Sequence, residues 1–160
     1  MSEELKFHQV AYVVRDLDKS VKHWADNLGI GPWTVYTLKA PGLRDCIYKG
    51  AKTEFSLRHA MAFAGNMQFE LVQPLDGPSI FKDQLETIGE GMNHVGCIVQ
   101  DHPAAVADFL ARGFTPLQSA AGFGAEGDGA RGVGAFTGIA VADVQKHVAL
   151  DMGIATRSEE

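Results

Sequence analysis

Residues 94–101 read HVGCIVQD, and they decide the fold because residues 9–16, which read QVAYVVRD, repeat them. At this offset of 85 residues the identical pairs are Val10 and Val95, Val14 and Val99, and Asp16 and Asp101. The correspondence continues downstream, where a one-residue deletion pairs Gly29 with Gly113. A period of about half the chain indicates a duplicated unit rather than a solenoid of short repeats.

The first copy predicts a strand, an amphipathic helix and a meander of strands. Residues 7–14 are a β-branched and aromatic run, Asp16 is a good helix N-cap, and Gly29 ends the helical spacing that follows. The three further strands are expected at residues 33–38, at 46–48 or 55–63, and at 67–72. Residues 79–88 then predict a short crossover helix.

The second copy repeats this order, with a strand at 94–99, an N-cap at Asp101 and a helix that stops at Gly113. Its fainter strands are expected at 114–118, 132–136 and 147–152. Residues 119–132, mostly glycine and alanine, predict a mobile loop beside a pocket. The sequence therefore predicts one α+β domain over residues 1–160, with module one at 5–74, a crossover at 75–91 and module two at 92–156.

Composition and charge restrict the classes of function. The 160 residues, 46% hydrophobic and 21% charged, are enough to bury a core without a disulfide or structural metal. A net charge of -6 offers no basic field to nucleic acid. Cys46 and Cys97 do not make a disulfide framework. Neither a signal-peptide pattern nor an apolar run of about 20 residues is found, so the default prediction is a cytoplasmic protein without nucleic-acid or membrane partners.

The alternation of side chains along a strand sorts the repeated strands by face. The bulky apolar residues of both first strands should pack on the helices, which leaves Gln9 and His94 on the opposite face. The same sorting of the last strand of each module leaves Glu70 and Asp151 on that face. These four side chains are therefore expected to share one cleft.

One imidazole, one amide oxygen and two carboxylates neutralise a divalent cation and leave positions open for substrate. The four side chains therefore predict a single divalent metal site. His8 is a more obvious ligand than Gln9, but it aligns with Asn93 and has the helix-facing parity, so it is expected to be structural unless a bulge inverts the strand. Three other histidines are expected to be solvated: His59 and His102 at the surface or the pocket rim, and His23 on a helix.

Four segments together resemble the vicinal oxygen chelate superfamily, in its glyoxalase-like and methylmalonyl-CoA epimerase-like branch. They are residues 7–18 (FHQVAYVVRDLD), 29–33 (GIGPW), 69–74 (FELVQP) and 91–96 (GMNHVG). The resemblance implies two tandem βαβββ modules forming an open, cupped eight-stranded barrel around one divalent ion, which is Zn, Ni, Co, Mn, Mg or Fe. Homodimers are common in the family, so a homodimer is the implied assembly.

The family's first three ligand positions fall on Gln9, Glu70 and His94. Its fourth ligand is usually a glutamate in a final strand of the form Gly-His-x-x-Glu-Leu. Matching the histidine of that motif puts Leu150 at the ligand position, whereas the parity argument, with a one-residue shift, prefers Asp151.

The leading functional hypothesis is a metal-dependent isomerase or lyase that acts on a small or CoA- or thiol-linked carbonyl compound through a metal-stabilised enolate. Glu70 or Asp151 would move the proton. One alternative is a metal-free protein that binds or sequesters a small molecule in a cleft lined by Trp33, Met61, Phe63 and Met67. The other is an Fe(II) ring-cleaving dioxygenase, which is disfavoured because position 9 is glutamine rather than a second histidine.

Overall fold

The computed structural model describes residues 6–123, 134–141 and 149–153. Within these ranges the chain forms ten strands and three helices, which confirms the α+β class. In chain order they are β1 (Phe7–Val13), α1 (Leu17–Leu28), β2 (Thr34–Leu38), β3 (Arg44–Tyr48), β4 (Ala51–Lys52), β5 (Leu57–Ala64), β6 (Met67–Pro74), α2 (Ile80–Thr87), β7 (Gly91–Ile98), α3 (His102–Ala111), β8 (Phe114–Phe123), β9 (Gly134–Val141) and β10 (Ala149–Gly153).

The ten strands form one sheet in the order β2-β5-β6-β1-β7-β10-β9-β8-β3-β4. The module-one order β2-β5-β6-β1 is mirrored by β8-β9-β10-β7 in module two. In each module the first strand pairs in parallel with the last, and the two modules join where β1 and β7 pair antiparallel. This is the duplicated βαβββ arrangement that the repeat predicts.

The hairpin of β3 and β4 is an addition that the repeat does not predict. It leaves module one between β2 and β5, yet β3 pairs with β8 at the far edge of module two. The sheet must curve to let this pairing form, because β2 occupies the opposite edge. Residues from both halves accordingly share one buried cluster, which includes Val13, Leu38, Cys46 and Ala120. The sheet is therefore cupped around its own core, and both alternatives for the third strand of module one are realised, as β3 and β5.

Local capping chemistry fixes the helix boundaries where the sequence predicts them. The side chain of Asp16 accepts a hydrogen bond from the Lys19 backbone N–H, and Asp101 accepts one from Ala104 in the same way. Gly29 ends α1 with φ of 66°, in the left-handed region that favours glycine. These contacts involve residues at most three apart along the chain, so they are visible in the sequence.

The two faces of the sheet carry different contents. On the convex face, Tyr12, Val14 and Leu71 pack with Trp24 of α1, and the corresponding cluster of module two contains Cys97, Val99 and Phe109. On the concave face, α2 inserts Phe81 and Leu85 into the buried cluster of the cup. The predicted parity of both first strands is therefore confirmed, and the crossover helix closes one part of the cup.

Several strand boundaries differ from the sequence expectation, and two of them are near the candidate loop and the repeat. β7 begins at Gly91, three residues early, and β8 continues to Phe123, so residues 119–123 are strand rather than loop. β8 is long because β9 offers it a partner as far as Gly134, which is a tertiary pairing that local composition does not show. Residues 124–132 of the predicted loop lie outside the described residues. In the described part of the chain, no helix is long and apolar enough to cross a membrane.

Candidate functional site

A carboxylate and an imidazole meet in the middle of the concave face. β1 pairs Ala11 with Glu70 of β6 on one side and with His94 of β7 on the other. The flanking strands each lie about 4.8 Å from β1, and the small side chain between them lets the longer ones approach across it. His94 Nε2 lies 3.5 Å from Glu70 Oε2, and both residues are almost fully buried.

His59 of β5 completes this cluster, and the expectation that it is solvated is wrong. It is 3% exposed, its Nδ1 is in hydrogen-bond contact with Glu70 Oε1, and its ring stacks on Tyr36 at a centroid distance of 5.8 Å. The signal that could have found it is the alternation of β5, in which His59 has the parity of Leu57, a residue of the cup's core. The alternation assigns His59 to the concave face only if residues 55–63 are recognised as a strand, which the sequence offered as one of two alternatives.

The electrostatics of the cluster are dominated by Glu70. Burial alone raises the pKa of its carboxyl, but the charge and hydrogen bond of His59, together with the contact with His94, outweigh burial and lower the pKa from 4.5 to about 2. Glu70 is therefore an anion at any physiological pH. A carboxylate of such low proton affinity is a better ligand or counter-ion than a general base.

A chain of amides fixes the orientation of His94. Gln84 of α2 donates through Nε2 toward three backbone carbonyls, which leaves its Oε1 to accept from Asn93 Nδ2 at 2.8 Å. The Asn93 Oδ1 then faces His94 Nδ1 at 2.7 Å. An amide oxygen can only accept, so Nδ1 of His94 carries a proton. The other ring nitrogen, Nε2, faces Glu70. In many metal-binding histidines one ring nitrogen likewise donates to a neighbouring oxygen while the other binds the metal.

Gln9 occupies the next row of the same face. Its Nε2 donates to Gln68 Oε1 at 2.9 Å, and its side chain lies across Gly96. A Cβ on Gly96 would come within 2.6 Å of Gln9 Oε1 and 3.0 Å of Gln9 Cβ. The glycine therefore makes room for the amide, and the amide oxygen lies over the sheet on the side of module two.

The backbone register relates Asp151 to Glu70. β6 pairs Glu70 with Ala11, and β10 pairs Asp151 with Gly96. Ala11 and Gly96 correspond under the repeat, so Asp151 has the register position of Glu70, and Leu150 does not. The side chain of Asp151 lies outside the described part of the structure. Its role as the fourth ligand stays a prediction, which this register supports.

The donor set suits a divalent cation chemically. With Nδ1 protonated, a neutral His94 would direct a lone pair at the Glu70 carboxylate, so a positive charge is needed between them, either a second proton or a metal ion. Two ligands about 2.1 Å from one ion lie about 3.0–3.4 Å apart, close to the 3.5 Å observed here. Among the described residues no three His, Cys, Asp or Glu side chains are arranged to hold a metal, so the set depends on the Gln9 amide and on Asp151.

The other sequence-predicted residues fall outside this cluster. His8 is exposed and is the extra residue of a β-bulge, since Phe7 pairs with Cys97 and Gln9 with Gly96. The bulge leaves Gln9 on the concave face. One residue expected to line an apolar cleft does not do so, since Trp33 packs in the α1 cluster on the convex face. Phe63 pairs with Gln68 and is 62% exposed. Of the other histidines in the described part of the chain, His23 is exposed as expected and His102 is half-buried.

A depression of the surface beside α1 lies apart from this site. Its volume is about 750 Å³ and it lies beside α1, where its lining includes Arg15, Lys19, Lys22, Asp26 and Glu90. Its charged groups of both signs lie at the helix side of the sheet rather than in the cup. The candidate site is therefore the cluster of Glu70 and His94 in the cup.

Residues 8–131 match the model of the Glyoxalase/Bleomycin resistance protein/Dioxygenase superfamily. The chain belongs to this superfamily, which confirms the resemblance to vicinal oxygen chelate proteins. A comparison with curated proteins finds no match.

Solved structures share the fold over nearly the whole chain. A methylmalonyl-CoA epimerase in complex with methylmalonyl-CoA and NH4+ has a TM-score of 0.68 at 18% identity, covering 98% of this chain and 99% of the other. A variant of the Streptomyces coelicolor methylmalonyl-CoA epimerase in complex with 2-nitronate-propionyl-CoA also has a TM-score of 0.68 at 18% identity, with 99% of both chains covered. A hypothetical protein from Bacillus halodurans has a TM-score of 0.64 at 16% identity, again with 99% of both covered. At these identities the likeness shows the fold alone.

Proposed function

We propose that this protein is a metal-dependent isomerase or lyase that moves a proton at the carbon next to the carbonyl of an acyl compound. The observation that carries the proposal is the meeting of His94 and Glu70 across Ala11, with the Gln9 amide laid over Gly96 in the next row. These residues, with Asp151, would hold one divalent ion. Such an ion supplies charge stabilisation to an enolate oxygen, worth several kcal/mol.

The roles of the two carboxylates differ in this proposal. The low pKa of Glu70 makes it a weak base, so it serves as a ligand held in place by His59. Asp151 is the better candidate for taking the proton from the substrate carbon and returning it. General-base assistance of this kind contributes about 10²–10⁴-fold to a rate.

The substrate class follows from the neighbours only by analogy. Two structures of the same fold contain acyl thioesters of coenzyme A, and acidic C–H bonds next to a thioester carbonyl suit enolate chemistry. We therefore propose a CoA- or thiol-linked carbonyl substrate, with a small free carbonyl compound as the other member of the class.

Metal content tests the site directly. Protein purified from metal-supplemented medium should contain about one divalent ion per chain by elemental analysis. Glu70→Gln and His94→Ala should lose that ion, whereas His23→Ala, which alters an exposed histidine on α1, should retain it. Full metal occupancy in both site variants would overturn the proposed metal centre.

Isotope exchange tests the chemistry. In D₂O, the metal-loaded protein should exchange the hydrogen on the carbon next to the carbonyl of methylmalonyl-CoA or propionyl-CoA for deuterium. NMR measures the rate of this exchange. Asp151→Asn should slow this exchange by about 10²–10⁴-fold. If no acyl thioester and no small carbonyl compound exchanges, enolate chemistry is excluded as the function.

A metal-free binding protein is the second candidate, and one observation favours it. Both oxygens of Glu70 already face imidazoles, His59 on one side and His94 on the other, so protonated histidines can neutralise the carboxylate. A protein that contains no metal and binds an acyl ligand equally well in the presence of a chelator, without turnover, would establish this candidate.

For the dioxygenase alternative, the structure supplies a second histidine, His59, but does not place it in the geometry that an Fe(II) site requires. His59 directs Nδ1 at Glu70 itself rather than at a point shared with it, which differs from a facial set of two histidines and one carboxylate. Oxygen uptake with a catechol substrate would be needed to revive this alternative.

A further inference from the structure

Gln118 of β8 belongs to the same cross-strand row as Asp151. β8 and β9 pair Gln118 with Gly138, and β9 and β10 pair Gly138 with Asp151. In module one the position equivalent to Gly138 is occupied by Met61, which pairs with Glu70. Since Gly138 has no side chain, the row itself places none between Gln118 and Asp151.

The amide of Gln118 has an assigned orientation. The residue is 1% exposed, and its Oε1 accepts a hydrogen bond of 2.9 Å from the backbone N–H of Ile80 at the start of α2. A backbone N–H can only donate, so the oxygen and nitrogen of the amide are distinguished. The remaining branch is the Nε2 donor, which has no hydrogen-bond partner in the described part of the chain. Buried polar groups are almost always hydrogen-bonded, so this donor calls for a partner.

The donor lies on the inside of the cup, and α2 links it to the candidate site. Ala120, which shares the parity of Gln118, belongs to the buried cluster of the cup. The first turn of α2 also links the two places. Ile80 holds Gln118, and the next residue, Phe81, packs on the His94 ring at a centroid distance of 6.0 Å.

We propose that Gln118 is a substrate-binding residue whose Nε2 donates a hydrogen bond to a carbonyl or carboxylate oxygen of the ligand. The inference rests on the proposed function, which requires an acyl compound in the cup. A fixed, buried donor selects for ligands that carry an acceptor at that point, because a ligand without one leaves the donor unpaired. Gln118 therefore determines specificity, and α2 sets its orientation.

The test compares two glutamines that cap helices. Gln73 Oε1 accepts from the N–H of Leu17, the first residue of α1, as Gln118 Oε1 accepts from the first residue of α2. Gln73→Met and Gln118→Met each remove a capping acceptor with a side chain of similar length, but only Gln118→Met removes a donor from the cup. Malonate serves as the probe, since it presents carboxylate oxygens without coenzyme A, and its affinity is measured by calorimetry.

We expect Gln118→Met to weaken malonate binding by about 10- to 100-fold, as for a lost hydrogen bond to a charged group, and Gln73→Met to change it less than about twofold. In the wild-type protein, the side-chain NH₂ resonance of Gln118 should shift as malonate is added. This second measurement does not depend on the folding of a variant. Equal affinities in the two variants, an unmoved resonance at saturation, or no binding of malonate to the wild type would each overturn the inference.

Isotope exchange separates this inference from the proposed function. Exchange into an acyl thioester with the same KM in the wild type and in Gln118→Met overturns the role of Gln118 and leaves the function standing. Malonate binding at Gln118 without exchange on any substrate supports the role of Gln118 and overturns the enolate chemistry.

Discussion

At the scale of single residues, the site depends on small side chains as much as on polar ones. Ala11 lets Glu70 and His94 meet across β1, and Gly96 lets Gln9 lie flat over β7. Each small residue thus makes room for a contact between larger neighbours. Strand alternation predicts which face these residues share, but it does not predict the contact itself.

Glu70 should make the protein sensitive to acid. A folded-state pKa of about 2, below the ordinary 4.5, means that the stabilising contribution of Glu70 is present above about pH 4.5 and is lost as the pH falls toward 2. The difference corresponds to about 3 kcal/mol of unfolding free energy. Glu70→Gln should lack this part of the pH dependence in urea unfolding measured between pH 2 and pH 7.

A matched control is Asp18→Asn, which removes a surface ion pair between the exposed Asp18 and the half-buried Arg58. It should leave the pH dependence nearly unchanged, because exposed ion pairs contribute little. Parallel pH profiles for the wild type and Glu70→Gln would contradict the account given for the carboxylate.

Gly96→Ala should disturb the metal site more than the fold. The new Cβ would contact the Gln9 side chain at 2.6–3.0 Å, so the amide should turn away, at a cost of about 1 kcal/mol in unfolding free energy. Metal affinity, measured by calorimetry, should fall about 10-fold or more. Gly42→Ala, whose Cβ would find its nearest contact at 3.5 Å, should have neither effect. Wild-type metal affinity in Gly96→Ala would argue against Gln9 as a ligand.

At the scale of elements, the crossover helix α2 connects the core, the hairpin and the site. Its Phe81 and Leu85 fill the cup, its Gln84 orients Asn93 behind His94, and its Asp83 accepts a hydrogen bond from Tyr48 of β3. The sequence predicts that this helix exists, from the spacing of its apolar residues. Its place inside the cup depends on surfaces that only the folded sheet provides.

Ser79→Ala tests the dependence on α2. Ser79 is 1% exposed and caps the helix by accepting from the Lys82 N–H. Its replacement should cost about 1 kcal/mol of unfolding free energy, measured in urea. Ser20→Ala, at a serine whose hydroxyl donates to the Asp16 carbonyl inside α1, should change stability by less than about 0.5 kcal/mol. An unchanged stability of Ser79→Ala would show that the cap does not hold α2 in place.

At the scale of the whole molecule, the cup is closed by a pairing between the two modules. The hairpin of module one pairs with β8, and the end of β8 meets the turn before β3, where Gly122 lies against Gly42. This closure brings Gln118 of module two to the helix that links the modules.

Gly122→Ala should destabilise the closure. Its Cβ would lie 1.9 Å from the Gly42 carbonyl oxygen, and its φ of 101° is unfavourable for alanine. Unfolding free energy should fall by about 3 kcal/mol or more. Gly113→Ala has a similar φ of 87° but nothing within 4 Å, so it should lose only about 1 kcal/mol. Equal losses in the two variants would mean that backbone strain, and not the closing contact, sets the cost.

Four kinds of feature could be predicted from the sequence: the duplication, the helix caps, the faces of the first strands, and the strand positions of Gln9, Glu70 and His94. These features are local or repeated, because a cap acts within three residues and strand alternation has a period of two. Four others are seen only in the folded chain: the pairing of β3 with β8, the place of α2 in the cup, the contact of His59 with Glu70, and the row that joins Gln118 to Asp151. Each of these depends on surfaces brought together from segments far apart in the chain. Such contacts leave no periodic or short-range signal in the sequence from which they could be predicted.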